Sequence, residues 1–279
     1  MATRQVAGSI TNQDFAVDFG DGRRVLWKTG PPAELAAEAR ALAWASAEGV
    51  PVPALLTYEP HPGPTQPPFI ILEWLPSQPP PSREALGMAG RALRALHARK
   101  VPGYGPLQIS GNEATSPEAG RGRYSSWSEF IAAVLNDGDY LVTVDLLSRG
   151  QRSAIRDQCG AVAYSSWTRQ PGVLLHGDLK PEHILSTGPQ LHGIIDWGDA
   201  FVGDPAWDLA RASMMDMSSF DQLLDGYEPP RPVDSRLLAA YRVLWNVRSL
   251  AGEHRAGGDW FAVYRQRIER DLDWLASER

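Results

Sequence analysis

A chain of 279 residues with 43% hydrophobic and 22% charged residues has the make-up of an ordinary soluble globular protein, built as one large domain or two lobes. The net charge of −6 argues against a general nucleic-acid binder, which needs a basic face to neutralise phosphates. Cys159 is the only cysteine, which excludes an intrachain disulfide and a thiolate metal cluster and fits a reducing compartment. The opening "MATRQVAGSI" holds no apolar core of signal-peptide length, and no run of about 18 apolar residues occurs anywhere. A cytoplasmic protein with neither membrane nor nucleic-acid partners is the expectation. No repeat at a solenoid period is present.

Residues 16–28, "AVDFGDGRRVLWK", predict two strands joined at Asp21-Gly22, a strong hairpin signal, with Lys28 ending the second. After the breaker "TGPP", residues 33–48 predict an alanine-rich helix with Leu35, Ala39, Leu42 and Ala45 or Ser46 on one face. Gly49 caps its end and "VPVP" cannot continue it. "ALLTYE" and "FIILEW" are candidate strands on either side of the loop "PHPGPTQPP". The run "PSQPPPS" at 76–82 is the sharpest break in composition, too stiff for a helix and too poor in donors for a central strand. A lobe boundary falls just before it, giving lobes of 1–75 and 76–279. Beyond it the pattern turns helical at 83–99, at about 127–136 and about 141–165, while Gly-, Ser- and Pro-rich 102–126 reads as a long surface loop. "VLLHGDL", "HIL" and "LHGIID" are short strands around a loop, and two or three helices fill about 234–278.

The stretch "HGDLKPEHIL", 176–185, resembles a phosphoryl-transfer loop with one letter changed. Protein kinases follow the loop aspartate with an asparagine that holds a second magnesium; here the spacing from Asp178 lands on His183. Phosphoryl transfer asks for a carboxylate facing the attacking hydroxyl and for cations that neutralise phosphate oxygens. Asp178 follows the apolar strand "GVLLH", and Asp196 ends the strand "GIID" eighteen residues later. Two strand-end carboxylates make a sensible magnesium site. Lys28 on a strand and Glu38 on the next helix can form the ion pair that steadies a lysine against nucleotide phosphates.

On these residues the chain resembles the aminoglycoside phosphotransferase family, whose fold is related to protein kinases. "HGDL" with a metal-ligand position five residues after the Asp, then "IDWGDAFVGDPAWDLA", matches the family's two signature blocks. "EARALAWASAEGVPVP" and "FIILEWLP" match in order and spacing, so the resemblance covers nearly the whole chain and is weakest over 100–170. It implies an α+β, two-lobed, protein-kinase-like fold with a small β-rich N-lobe and a larger, mainly helical C-lobe. It implies an enzyme that moves the γ-phosphate of ATP or GTP, with Mg2+, onto a hydroxyl of a small molecule, an antibiotic in the family's setting. Asp178 would then be the catalytic carboxylate, and Lys180 would touch the γ-phosphate. Asp196 and His183 would hold the metal. Lys28 would contact the α- and β-phosphates, steadied by Glu38. The backbone of Glu73 and Leu75 would meet the purine, and Gly8, Ser9 and Asn12 would belong to the phosphate loop. Asp199 is a candidate substrate contact, while Asp204 and Asp208 would buttress the catalytic loop.

Two departures matter. No G-x-G-x-x-G precedes Lys28, and His183 is a softer ligand than an amide oxygen. The macrolide-phosphorylating branch of the family also carries His at this position. A lone strand-end Asp is ordinarily a turn or cap residue, and Glu on an alanine-rich helix is commonplace; the ordered signature blocks are what lift these positions above that reading. His176 reads as a structural, hydrogen-bonding histidine. Residues 196–228 hold eight acidic groups against Arg211 alone, a field able to steer a cation, whereas 253–279 balances six acidic residues with five arginines, which suits a polycationic aminoglycoside poorly. Trp207, Trp245, Trp260 and Trp274 serve either a pocket for a bulky compound or the core. Macrolides, aminoglycosides and nucleoside antibiotics such as capuramycins all stay open as acceptors. The alternatives are a kinase for choline, homoserine or a sugar, a protein kinase, and a nucleotide-binding module without turnover. Gly177 in place of the kinase Arg and the absence of Ala-Pro-Glu after Asp196 speak against a protein kinase.

Overall fold

The computed structural model describes residues 2–6, 13–63, 66–109, 119–160, 163–164 and 170–278. The N-terminal part is a sheet with one helix against it: β1 (Ala2–Val6), β2 (Gln13–Asp18), β3 (Arg24–Thr29), α1 (Pro32–Ala47), β4 (Leu55–Glu59) and β5 (Phe69–Glu73). The five strands run antiparallel in the order β1-β2-β3-β5-β4. The predicted hairpin closes β2 onto β3, with the Phe19 N–H donating to the Arg23 carbonyl at 2.8 Å and Gly22 at φ +86°. In α1 the residues Leu35, Ala39, Leu42 and Ala45 are buried and Ser46 is exposed, so the apolar stripe ends on Ala45. The same face buries Glu38, a charge that needs a partner.

Residues 74–82 carry neither helix nor strand. Beyond them come α2 (Arg83–Leu96), β6 (Tyr104–Gln108), β7 (Arg121–Tyr124), α3 (Trp127–Thr143) and α4 (Arg149–Ile155), which passes into a π-helical turn at Arg156–Gly160. Then follow β8 (Val173–Leu175), β9 (Ile184–Thr187), β10 (Gln190–Ile194), β11 (Phe201–Gly203), α5 (Pro205–Ala212), α6 (Met217–Tyr227), α7 (Ser235–Ala256) and α8 (Phe261–Ser277). A sheet-built N-terminal part and a helical C-terminal part make a mixed α+β fold. A backbone hydrogen bond ties them, from the Ile194 N–H to the Pro51 carbonyl at 2.9 Å, and in the segment that joins them the Gln78 N–H donates to the Ser186 carbonyl at 2.7 Å. Among the described residues no helix is long and apolar enough to cross a membrane.

Several sequence expectations are corrected. The expected loop 102–126 contains β6 and β7, paired antiparallel despite their glycines and proline. The expected helix 141–165 is broken: α3 runs on to Thr143, and α4 starts afresh at a capping box on Ser148, whose side chain accepts from the Gln151 N–H. Strands β1 and β11 and helices α5 and α6 had no expectation at all. β11 is only three residues long, and it is ordered by pairing with both β6 and β8.

The core that matters for the site is aromatic. Trp127, Phe130, Phe201, Trp207 and Tyr241 pack edge-on and stacked, with Phe201 and Trp207 parallel at 5.7 Å between ring centres. Burying these large rings fixes α5 and so fixes Asp204 and Asp208, which flank Trp207. Trp207 is therefore a core residue, not a pocket one.

Candidate active site

Three strand ends and one helix converge on a cleft of about 1080 Å³ between the two parts of the fold. Lys28, the penultimate residue of β3, lies with its Nζ 2.9 Å from Glu38 Oε2, 3.1 Å from Glu38 Oε1 and 3.1 Å from Asp196 Oδ1. Burial disfavours its charge, but Glu38, Asp196 and Asp14 outweigh that and hold the ammonium well above the usual lysine range. The predicted Lys28–Glu38 pair is thus present, and the same ammonium also touches the predicted metal carboxylate.

Asp178 follows β8 in a loop whose backbone is held from below. Asp208 Oδ2 accepts from the His176 N–H at 2.7 Å, and Asp208 Oδ1 accepts from the Gly177 N–H at 2.8 Å. Its second neighbour is His97, with Nε2 at 3.2 Å from Oδ2. Asp204 caps α5 through the Ala206 N–H and accepts from the Tyr241 hydroxyl at 2.7 Å. Asp208 buttresses the loop directly, as its place in the second signature block implied, whereas Asp204 holds α5 to Tyr241 and touches the loop through none of these bonds. His176 is a structural histidine: Nε2 donates to the Ile195 carbonyl at 2.9 Å, leaving Nδ1 to accept from the Asp178 N–H at 3.3 Å. Gly177 explains why no kinase-like arginine can stand here. Its φ is +87°, and a Cβ would lie 2.0 Å from the Asp199 carbonyl oxygen.

The Asp178 carboxylate faces two cations. Arg211 Nε donates to Oδ1 at 2.6 Å, and Lys180 Nζ lies 3.4 Å from Oδ2. Burial pushes this carboxyl up, but Arg211, His183 and Lys180 together hold it below the usual aspartate range. Arg211 itself stacks over Trp245, 4.6 Å from the ring centre, and Trp245 Nε1 donates to the Gly177 carbonyl at 2.9 Å. The sequence reading gives Arg211 no site role and leaves Trp245 open between pocket and core. A signal for Arg211 does exist, since it follows "DLA" one helical turn after Asp208 and points from the same helix to the same loop.

His183 ends a short 3-10 turn, Pro181–His183. Its Nδ1 donates to the Asp178 carbonyl at 2.9 Å, which fixes the tautomer and leaves the Nε2 lone pair 3.2 Å from Asp196 Oδ2. Burial pushes the imidazole down to about 4, against the pull of Asp196, so the ring is neutral near pH 7. Two acceptors then face each other with no proton between them, an arrangement that a cation would relieve. Asp178, His183 and Asp196 each present a ligand atom within 4.8 Å of the others. The two carboxylates suit magnesium, and the imidazole widens the set toward manganese. Asp196 is held far below the usual aspartate range by Lys28 and His183 although burial opposes this. It stands in the left-handed region at φ 66° and ψ 65°, strain of about 1–3 kcal/mol of the kind that gathers at functional sites.

Other predicted residues are placed as follows. Glu73 and Leu75 line the cleft at the end of β5, but the Glu73 N–H donates to the Ala54 carbonyl, which removes that amide as a purine contact. Asp199 lines the cleft and is open to solvent, yet desolvation, with Asp178 and Asp196 nearby, raises its carboxyl against the pull of Arg248. Asp14, not foreseen, lines the same wall and pairs in register with Lys28 across β2 and β3. Gly8, Ser9 and Asn12 lie outside the described residues.

The profile of the Phosphotransferase enzyme family matches residues 2–252. The chain belongs to this family. Among curated relatives of this family member is viomycin phosphotransferase of Streptomyces vinaceus, 27% identical over 53% of this chain and 50% of that protein. The chain thus matches about half the length of that relative. Among solved structures, a thermostable mutant of aminoglycoside phosphotransferase APH(4)-Ia in ternary complex with ADP and hygromycin B superposes with a TM-score of 0.76 at 17% identity, covering 98% of this chain and 93% of the other. Macrolide 2'-phosphotransferase MphH of Brachybacterium faecium superposes with a TM-score of 0.63 at 19% identity, covering 97% and 91%. These likenesses establish the kinase-like fold.

Proposed function

We propose that this family member is a nucleoside-triphosphate-dependent O-phosphotransferase that moves the γ-phosphate of ATP or GTP onto a hydroxyl of a small molecule, an antibiotic in the family's setting. The observation that carries the reading is the convergence of Asp178, His183 and Asp196 within 4.8 Å, beside a buried Lys28 already charged and paired.

In this reading residues 1–75 form the nucleotide-binding lobe and 76–279 the lobe that binds the acceptor. Leu26, Leu72, Leu75, Leu185 and Ile195 line the cleft and would give a purine apolar contact, with the backbone of Glu73 and Leu75 as the candidate hydrogen-bonding edge. Lys28 is preorganised by Glu38 to meet α- and β-phosphate oxygens, so its ammonium needs no reorganisation when the nucleotide arrives. Asp196 and His183 would hold a divalent cation, which supplies charge neutralisation at the phosphate oxygens. Lys180 approaches the γ-phosphate from the catalytic loop. Asp178, with Oδ1 fixed by Arg211, keeps Oδ2 turned toward the cleft to accept a hydrogen bond from the acceptor hydroxyl. Its depressed pKa makes it a weak proton acceptor in the ground state, so its first task is orientation, with proton transfer following as the O–P bond forms.

The test is a screen of the purified protein with magnesium, ATP or GTP, and a panel of antibiotics, hydroxylated metabolites and a generic protein, reading added phosphoryl groups by mass. A small-molecule product is expected. Asp178→Asn keeps an acceptor for Arg211, so it should still fold, at a lowered Tm for the lost charge pair, and should abolish transfer. Turnover comparable to the parent would remove Asp178 from its role, and phosphorylation of the generic protein alone would overturn the acceptor class.

A further inference from the structure

The acceptor side of the cleft has its own chemistry. Trp260, Tyr264 and Arg267 all line it, and their spacing of four and three residues places them on one face at the start of α8. Trp260 is 62% exposed, an unusual fate for an indole in a fold that buries Trp127, Trp197 and Trp207 almost completely. Met214 and Met215 line the same cleft and add adaptable apolar surface.

Most of the charged groups beside this wall already have a neighbour. Arg211 is committed to Asp178, and Lys180 stands beside the same carboxylate. Asp199 feels the pull of Arg248, and Asp216 is spent capping α6, accepting from the Ser219 N–H at 3.0 Å. Arg267, half-buried, has neither ion pair nor hydrogen bond among the described residues. Burial disfavours its charge first and the neighbouring Arg211 second, with Arg270 adding, while Tyr264 and Asp178 favour it, so this guanidinium sits within the field of the catalytic carboxylate without a direct ion pair of its own. A half-buried arginine beside exposed aromatic surface is a fork for a planar anion.

Resting on the phosphotransferase reading above, we propose that the acceptor carries a single anionic group, in its simplest form a carboxylate, next to a flat apolar moiety, and that the Trp260, Tyr264 and Arg267 face reads both. The anion pairs with Arg267 and the flat moiety lies on Trp260 and Tyr264, which together would turn the hydroxyl toward Asp178. A cationic group placed on this face would meet the Arg267 guanidinium instead of an anion.

The test uses three probes on the full chain by calorimetric titration at fixed salt: naphthylacetate, the neutral naphthylacetamide of the same shape, and hygromycin B as a polycation. ATP is titrated in parallel. The acid is expected to bind about tenfold more tightly than the amide, the size of one charge-assisted hydrogen-bonded contact. Arg267→Met should bring that ratio to about one while leaving the amide unchanged, Arg267→Lys should keep part of it, and Trp260→Ala should weaken acid and amide alike. Equal binding of acid and amide, binding of neither, tighter binding of hygromycin B, or an unchanged ratio in Arg267→Met would each overturn the inference. If ATP still binds and phosphoryl transfer persists, such a result refutes this acceptor class alone; failure of ATP to bind refutes the phosphotransferase reading beneath it.

Discussion

Replacing Asp208 tests the idea that the catalytic loop is held by its backbone. Asp208 is 0% exposed, and its two oxygens accept from the His176 and Gly177 N–H groups at 2.7 and 2.8 Å. In Asp208→Ala both amides remain buried with no acceptor, at about 1–3 kcal/mol each, and His97 loses its contact as well. Relief of the carboxylate's own desolvation offsets part of this, so the expected loss is about 2–5 kcal/mol out of the ~5–15 kcal/mol that a folded domain possesses. In a chain of this size that corresponds to a Tm drop of roughly 5–15 °C. Asp208→Asn keeps one acceptor oxygen but turns an NH2 group toward the second amide, so it should fall between the two. The assay is urea unfolding of the three proteins, read at a shared m-value. If Asp208→Ala unfolds within about 1 kcal/mol of the parent, less than a single orphaned amide should cost, the carboxylate is not what holds the loop.

Two further outcomes follow from the same network. Arg211 is the strongest of the groups that lower the Asp178 carboxyl, so Arg211→Met should raise that pKa and move the acid limb of the kcat/KM profile to higher pH; an unmoved limb would refute the pairing. Because Asp178 is depressed in the folded state, its contribution to stability is present above its unfolded value of 3.8 and is lost as the pH falls through the folded value. Arg211→Met should therefore cost about 3 kcal/mol at neutral pH, with the gap to the parent narrowing in acid unfolding scans. Burial, with Asp271 adding, pushes the Cys159 thiol up to about 12, so the native protein should resist thiol reagents at pH 8 and react stoichiometrically in denaturant. Rapid labelling of the native chain would show that its interior opens there.

What the amino-acid sequence determined by itself is the part of the fold written in local patterns. The Asp21-Gly22 hairpin, the helix running to Gly49 and the strands ending in Asp178's loop and at Asp196 all follow from periodicity, turn residues and caps that act over fewer than about twenty residues. The candidate phosphate-side residues Lys28, Asp178, His183 and Asp196 lie at the ends of short elements and Glu38 within the predicted helix, and the ordered signature blocks are what made them legible as a set. Tertiary structure decided the rest. β11 is three residues long and exists through its two neighbours, and β6 and β7 hold together against a Gly- and Pro-rich composition because pairing outweighs weak propensity. The Arg211–Asp178 contact spans 33 positions, and the Arg267 wall reaches the cleft from α8, a helix far along the chain from the catalytic loop. The turn from Asp208 to Arg211 hints at the first, but no local pattern encodes the second. Which cation finds a carboxylate and which is left for a ligand depends on how α5, α7 and α8 pack, and that packing is settled by the burial of Trp127, Trp207 and Tyr241 in one aromatic core.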